Sequence, residues 1–175
     1  MRAVKVCAPT DRLRPIPSTR TGWTRSRVQG REWDRRLVAR GEAEAGYVGN
    51  ALRDAALRPT RLLHSPLVRA TQTAMIISRA CGCSCERAEE LALDAPLAPV
   101  LARIAAARGE GVSAGGVLAL VGHNPRLEEL AALVCEDVRG RGLELRTGEA
   151  LVIDFAGGAD LGEGRLSGAV HLTAA

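Results

Sequence analysis

Aromatic side chains are scarce in this 175-residue chain: two Trp, one Tyr and one Phe, or 2 %. Proteins that hold single-stranded nucleic acid stack bases on such rings, so a stacking surface is excluded. Lysine is nearly missing too, with Lys5 the one lysine among 24 basic residues. No apolar run approaches the roughly 20 residues that span a bilayer. The N-terminus has no apolar core followed by a small-residue cleavage site. The expectation is a cytoplasmic protein with neither membrane nor nucleic acid as partner. The five cysteines are an odd number. Cys81, Cys83 and Cys85 alternate with other residues, which is not a common zinc spacing. They read as small hydrophobes at a helix end and a following strand. No metal or cofactor is expected.

What is present is an ordinary globular composition, 46 % hydrophobic. A domain of this size buries roughly two-thirds of its unfolded surface and needs no staple. The charge is uneven. Residues 1–40 hold eleven Lys/Arg against three Asp/Glu, and the remainder thirteen against seventeen. A basic arm is one reading of that excess. Another rests on the composition: 23 Arg with abundant Ala, Gly and Pro indicate GC-rich coding DNA. Residues 10–31, rich in Arg, Pro, Ser and Thr, look like such DNA read out of frame. Residues 1–30 are therefore taken as an irregular basic segment and 31–175 as one domain.

Arg2–Cys7 alternates weakly and fits a short strand; residues 8–36 read as a charged loop. Ala43, Tyr47, Val48, Ala51, Leu52 and Ala55 recur at helical spacing, predicting a helix over 40–57 that Pro59 ends. Arg61–His64 is a short strand. Pro66 suits a first helical turn behind Ser65 as cap. That helix carries Leu67, Ala70, Ala74, Ile77 and Cys81 on one face and closes at Gly82. A brief strand at 85–88, a helix at 97–108 and a Gly/Ser loop to 116 follow. Val117–Val121 is continuously apolar, as in a buried parallel strand, and leads through Gly122, His123 and Asn124 to a helix from Pro125. Three tail strands are expected at 143–146, 149–155 and 165–172. Alternating strands and helices predict an α/β fold, three layers α/β/α around a mostly parallel sheet. Ligands of such sheets bind beyond the strands' carboxyl ends.

Two strand-to-helix junctions fall at that edge: His64-Ser65-Pro66…Arg69 and Gly122-His123-Asn124-Pro125. A lone helical Arg is usually an ion-paired surface residue, and a lone His is more often structural. Together, near a helix N-terminus, they describe an anion pocket. The Arg fork suits phosphate bidentately, and the His can stabilise charge or move a proton.

Ser-Pro-Leu-Val-Arg-Ala-Thr-Gln-Thr-Ala (65–74) resembles the second motif of the histidine phosphatase superfamily, and Val-Gly-His-Asn-Pro (121–125) its later His motif. Asp34-Arg35-Arg36-Leu37 with Arg40-Gly41 and Ala45 resembles a further segment, Arg36 and Val38 standing where Pro and Thr are usual. Residues 144–150 resemble the C-terminal hairpin of the small SixA-type phosphohistidine phosphatases. The resemblance runs from about 31 to 172. It implies a phosphoglycerate-mutase-like fold and a phosphatase in which an N-terminal His attacks phosphorus and water releases phosphate. The substrate would be a phosphohistidine protein or a phosphorylated small molecule. Arg69 and His123 would be catalytic, and Arg69, His123, Ser65 and Asn124 would bind phosphate. No clear counterpart of the larger relatives' acidic proton donor is found.

One departure is serious. The chain has three His, at 64, 123 and 171, and the attacking His belongs ahead of all three. Cys7, at the end of the first strand, or Ser18 would occupy its place, and neither has an evident activating base; His64 borders the pocket but is a poor substitute. Three explanations stay open: a misread N-terminal stretch, a degenerate phosphatase that binds without turnover, or another attacking residue. Little phosphatase activity is expected of the chain as written.

Overall fold

A computed structural model describes residues 2–7, 32–109, 116–135, 144–155 and 164–170. Six strands form one sheet: β1 (Arg2–Cys7), β2 (Arg61–His64), β3 (Cys85–Arg87), β4 (Val117–Gly122), β5 (Ala150–Phe155) and β6 (Gly164–Val170), in the order β3-β2-β4-β1-β5-β6. β3, β2, β4 and β1 run parallel, while β5 and β6 add antiparallel. The helices are α1 (Ala39–Asp54), α2 (Val68–Cys81), α3 (Leu97–Gly109) and α4 (Arg126–Val134), with a 3₁₀ turn at Glu89–Leu91. The expected mostly parallel α/β/α architecture is present. β1 lies in the middle of the sheet, so the sheet takes in residues ahead of the boundary expected at 31.

Strand period sorts the core into two. Leu118 and Leu120 of β4 join Leu63, Ile104, Leu127, Leu130, Leu151 and Ile153 on the side of α3 and α4. Val117, Ala119 and Val121 turn the other way and meet Val48, Leu52, Leu62, Ala70, Ala74 and Ile77, on the side of α1 and α2. Every residue of β4 is buried, because helices cover both faces of a parallel sheet. Gly49 lets α1 approach α2, since a Cβ there would stand 2.8 Å from Ala80 Cβ. Cys81 is buried in the second cluster, and Cys83 and Cys85 pack half-buried against it, as small hydrophobes do.

Several expectations hold closely. The strand at 61–64 is found, Gly82 closes α2 in the left-handed conformation with φ +67°, and α3 begins at Leu97. Others are corrected. Residues 144–146 form no strand; their backbone is held by side chains instead, as described below. α1 stops at Asp54, ahead of Pro59, with Ala56 at φ 57°. Ser65 does not cap α2, whose cap position is Leu67 with no side-chain cap bond. Of the loop expected at 8–36, residues 8–31 lie outside the described residues, while 32–33 are helical; also outside are 110–115, the loop around Gly157-Gly158, and Ser18. No helix among the described residues is long and apolar enough to cross a membrane.

Candidate functional site

The parallel strands end together. His64 of β2 pairs with Val121 of β4, and Cys7 of β1 with Gly122. The carboxyl ends of β2, β4 and β1 thus form one edge, and the two junction motifs leave it side by side. Ser65 N donates to Val121 O at 2.9 Å, tying the first junction to the second.

The polar residues here are buried: Ser65 is 0 %, Arg69 3 % and His123 3 % exposed. His123 Nε2 and Ser65 Oγ are hydrogen-bonded at 2.9 Å, and Leu67 N donates weakly to the same hydroxyl at 3.4 Å. This explains the failed cap, since the Ser65 hydroxyl serves the other junction. His123 Nδ1 is buried and makes no hydrogen bond among the described residues. Burial, and after it the charge of Arg69, pushes the His123 pKa down from 6.5 to about 3. At neutral pH His123 is therefore an uncharged imidazole beside a guanidinium. Arg69 Nη1 donates to Glu32 O at 2.9 Å and lies 3.1 Å from Glu32 Oε2.

Asn124, expected to bind phosphate, is tied to the fold here: one N–H of its Nδ2 donates to Leu145 O, and the amide carries a second N–H. Glu128 Oε1 accepts Leu145 N at 2.8 Å. The two α4-side residues therefore clamp both backbone groups of Leu145, fixing residues 144–149 next to His123. The strap's other end is seated by Gly148 at φ +77°, where a Cβ would come within 2.6 Å of Glu44 Oε2. Glu44 is itself buried and paired with Arg40 Nε at 2.8 Å. His64 faces its own loop: Nδ1–H donates to Ser65 O at 2.8 Å.

Sequence reasoning missed Glu32, Glu44 and Glu128. The contact of Glu32 with Arg69 crosses 37 positions, and no local pattern announces it. Thr147-Gly148 was the available signal for the turn that meets Glu44. Cys7 ends a central strand at the pocket edge, where the attacking group was sought; Ala8 to Arg31 fall outside the described residues. Among the described residues no group of three or more His, Cys, Asp or Glu is placed to hold a metal.

Comparison with known proteins agrees with this geometry. Residues 19–92 match the histidine phosphatase superfamily (branch 1), a span that starts beyond the end of β1. No curated protein matches the sequence. Among solved structures, the protein histidine phosphatase SixA complexed with tungstate superposes with a TM-score of 0.74 at 20 % identity, covering 97 % of this chain and 96 % of its own. A putative phosphohistidine phosphatase SixA from Agrobacterium tumefaciens gives 0.68 at 25 %, with 97 % of each chain covered. A mycobacterial glucosyl-3-phosphoglycerate phosphatase with vanadate gives 0.62 at 18 %, covering 95 % and 97 %. The resemblance read from the two junction motifs is borne out. The chain carries the superfamily's sequence pattern over 19–92 and has the histidine-phosphatase fold.

Proposed function

We propose that the pocket between the β2–α2 and β4–α4 junctions binds the phosphoryl group of a phosphohistidine protein or a small phosphoester in the cytoplasm, and that this chain turns such substrates over poorly. The observation that carries the reading is the convergence of Ser65, Arg69 and His123 in one buried cluster at the carboxyl edge. A buried guanidinium beside a neutral imidazole favours an incoming dianion, although Glu32 already contacts Arg69. The dianion offsets Arg69 and favours a proton on His123, so the imidazole becomes a better donor as phosphate enters. Positioning and charge stabilisation are the main demands of phosphoryl transfer, and these residues meet them. Asn124 and Glu128 contribute by fixing the strap at Leu145.

Among the described residues the cluster shows no activated attacking group. Ser65 touches His123, but an imidazole with a pKa near 3 is a weak base and a poor activator of a hydroxyl. A phosphate-binding module without turnover is accordingly the favoured form of the proposal over an active phosphatase. The test is thermal unfolding with and without inorganic phosphate, beside a turnover assay. Phosphate is expected to raise the Tm of the wild type and to leave that of Arg69→Ala unmoved. Steady release of phosphate from phosphohistidine or p-nitrophenyl phosphate, lost in His123→Ala, would overturn the low-turnover half of the proposal. Absence of any phosphate effect on the wild type would overturn the binding half.

A further inference from the structure

The clamp of the pocket is already in contact with an anion, and that anion belongs to the protein. Arg69 Nη1 meets Glu32 twice, through the backbone carbonyl at 2.9 Å and through carboxylate Oε2 at 3.1 Å. The two contacts do different work. The carbonyl is a neutral acceptor that fixes where the guanidinium sits. The carboxylate adds a full negative charge next to a guanidinium whose side chain is 4 % exposed, where screening by water is weak. Glu32 itself is 28 % exposed and shared, since Arg35 Nη1 also reaches its Oε1 at 2.9 Å. A carboxylate so placed can swing toward solvent and keep Arg35 as its partner. Resting on the proposed phosphate pocket, we infer that Glu32 is an internal competitor that sets the affinity of Arg69 for phosphate.

The charge arithmetic gives the direction. A phosphate dianion approaching Arg69 must be accommodated beside the Glu32 carboxylate or displace it. Either way the carboxylate opposes binding. Glu32→Gln removes that opposition and leaves the backbone carbonyl, so the guanidinium keeps its anchor. A residue that served only to orient Arg69 would behave in the opposite way, because losing the ionic contact would loosen the fork and weaken binding.

The experiment measures the affinity of inorganic phosphate and of tungstate for the full chain by calorimetry, with Tm in buffer alone as the folding control. Glu32→Gln is expected to bind both anions roughly five- to tenfold more tightly than the wild type, the effect of removing one nearby partly screened charge. Glu32→Asp, which retracts the carboxylate by one methylene, is expected to fall between. Asp34→Asn removes the same formal charge from an exposed position two residues away and is expected to change affinity less than twofold, which separates the local contact from net charge. Unchanged or weaker binding in Glu32→Gln, with wild-type binding intact, would overturn the inference and leave the phosphate pocket standing. An equal gain in Asp34→Asn would overturn it as well, by reducing it to net charge. No binding to either the wild type or Glu32→Gln would overturn both readings together.

Discussion

Helix α2 has two ends that follow opposite rules. Its C-terminus is built for stability: Gly82 takes the left-handed conformation, Cys83 N donates back to Ser78 O at 3.1 Å, and Ile77 and Cys81 fill an apolar cluster. Its N-terminus is built against stability. It has no side-chain cap, places a guanidinium in the interior, and spends a buried hydroxyl on a histidine from another strand. Local signals explain the first end and misdirect at the second. Departures from folding rules concentrate where a ligand is needed to complete the arrangement.

The difference can be broken from either end. The largest effect is expected at the pocket end, as acid lability. His123 has a folded pKa near 3 against 6.5 unfolded, so the unfolded chain binds the proton more readily. The stability that neutral His123 contributes is complete above about pH 6.5. It is lost at up to about 1.4 kcal/mol per pH unit as the pH falls toward 3. Denaturant melts across that window should show this slope in the wild type and a shallower one in His123→Gln; equal slopes would remove His123 as the cause. Next is the other end, where Ile77→Ala should cost about 2–4 kcal/mol of unfolding free energy, because a fully buried side chain leaves a cavity. A cost below about 1 kcal/mol would mean that the cluster collapses around the gap. Ser65→Ala should cost about 1–2 kcal/mol by leaving His123 Nε2 unpaired, and a stabilised variant would contradict the hydrogen bond. The smallest effect is expected from Gly82→Ala, roughly 1 kcal/mol for a β-carbon at positive φ, read as a drop in Tm of a few degrees.

The same contrast explains what was legible in the sequence. The strand at 61–64, the face Leu67–Cys81, the Gly82 stop and the apolar β4 were all readable, because each expresses a repeat or a terminator within a dozen residues. That Arg69 and His123 fall together at the sheet's carboxyl edge was readable because their motifs follow strand ends. Ser65 was placed correctly and given the wrong partner: a Ser ahead of a helix looks like a cap, and nothing local announces a histidine 58 positions away. The bond of the Asn124 amide to Leu145, 21 residues on, was not legible either. Glu32 lay in a stretch read as charged loop. Its contact with Arg69 depends on packing that only the closed fold supplies.

The position of β1 carries one more consequence, for how the chain acquires its fold. Arg2–Cys7 pairs on one side with Val117–Gly122 and on the other with Ala150–Asp154. In the strand order it alone joins the parallel half of the sheet to the β5–β6 hairpin. Both partners lie far from it along the chain, so the hydrogen bonds of β1 wait on long-range closure. Closing those loops costs entropy before any pairing offsets it, which makes assembly of the sheet's centre a slow, long-range event. The strand-end edge at the junctions is therefore completed late in folding, when β1 settles between β4 and β5.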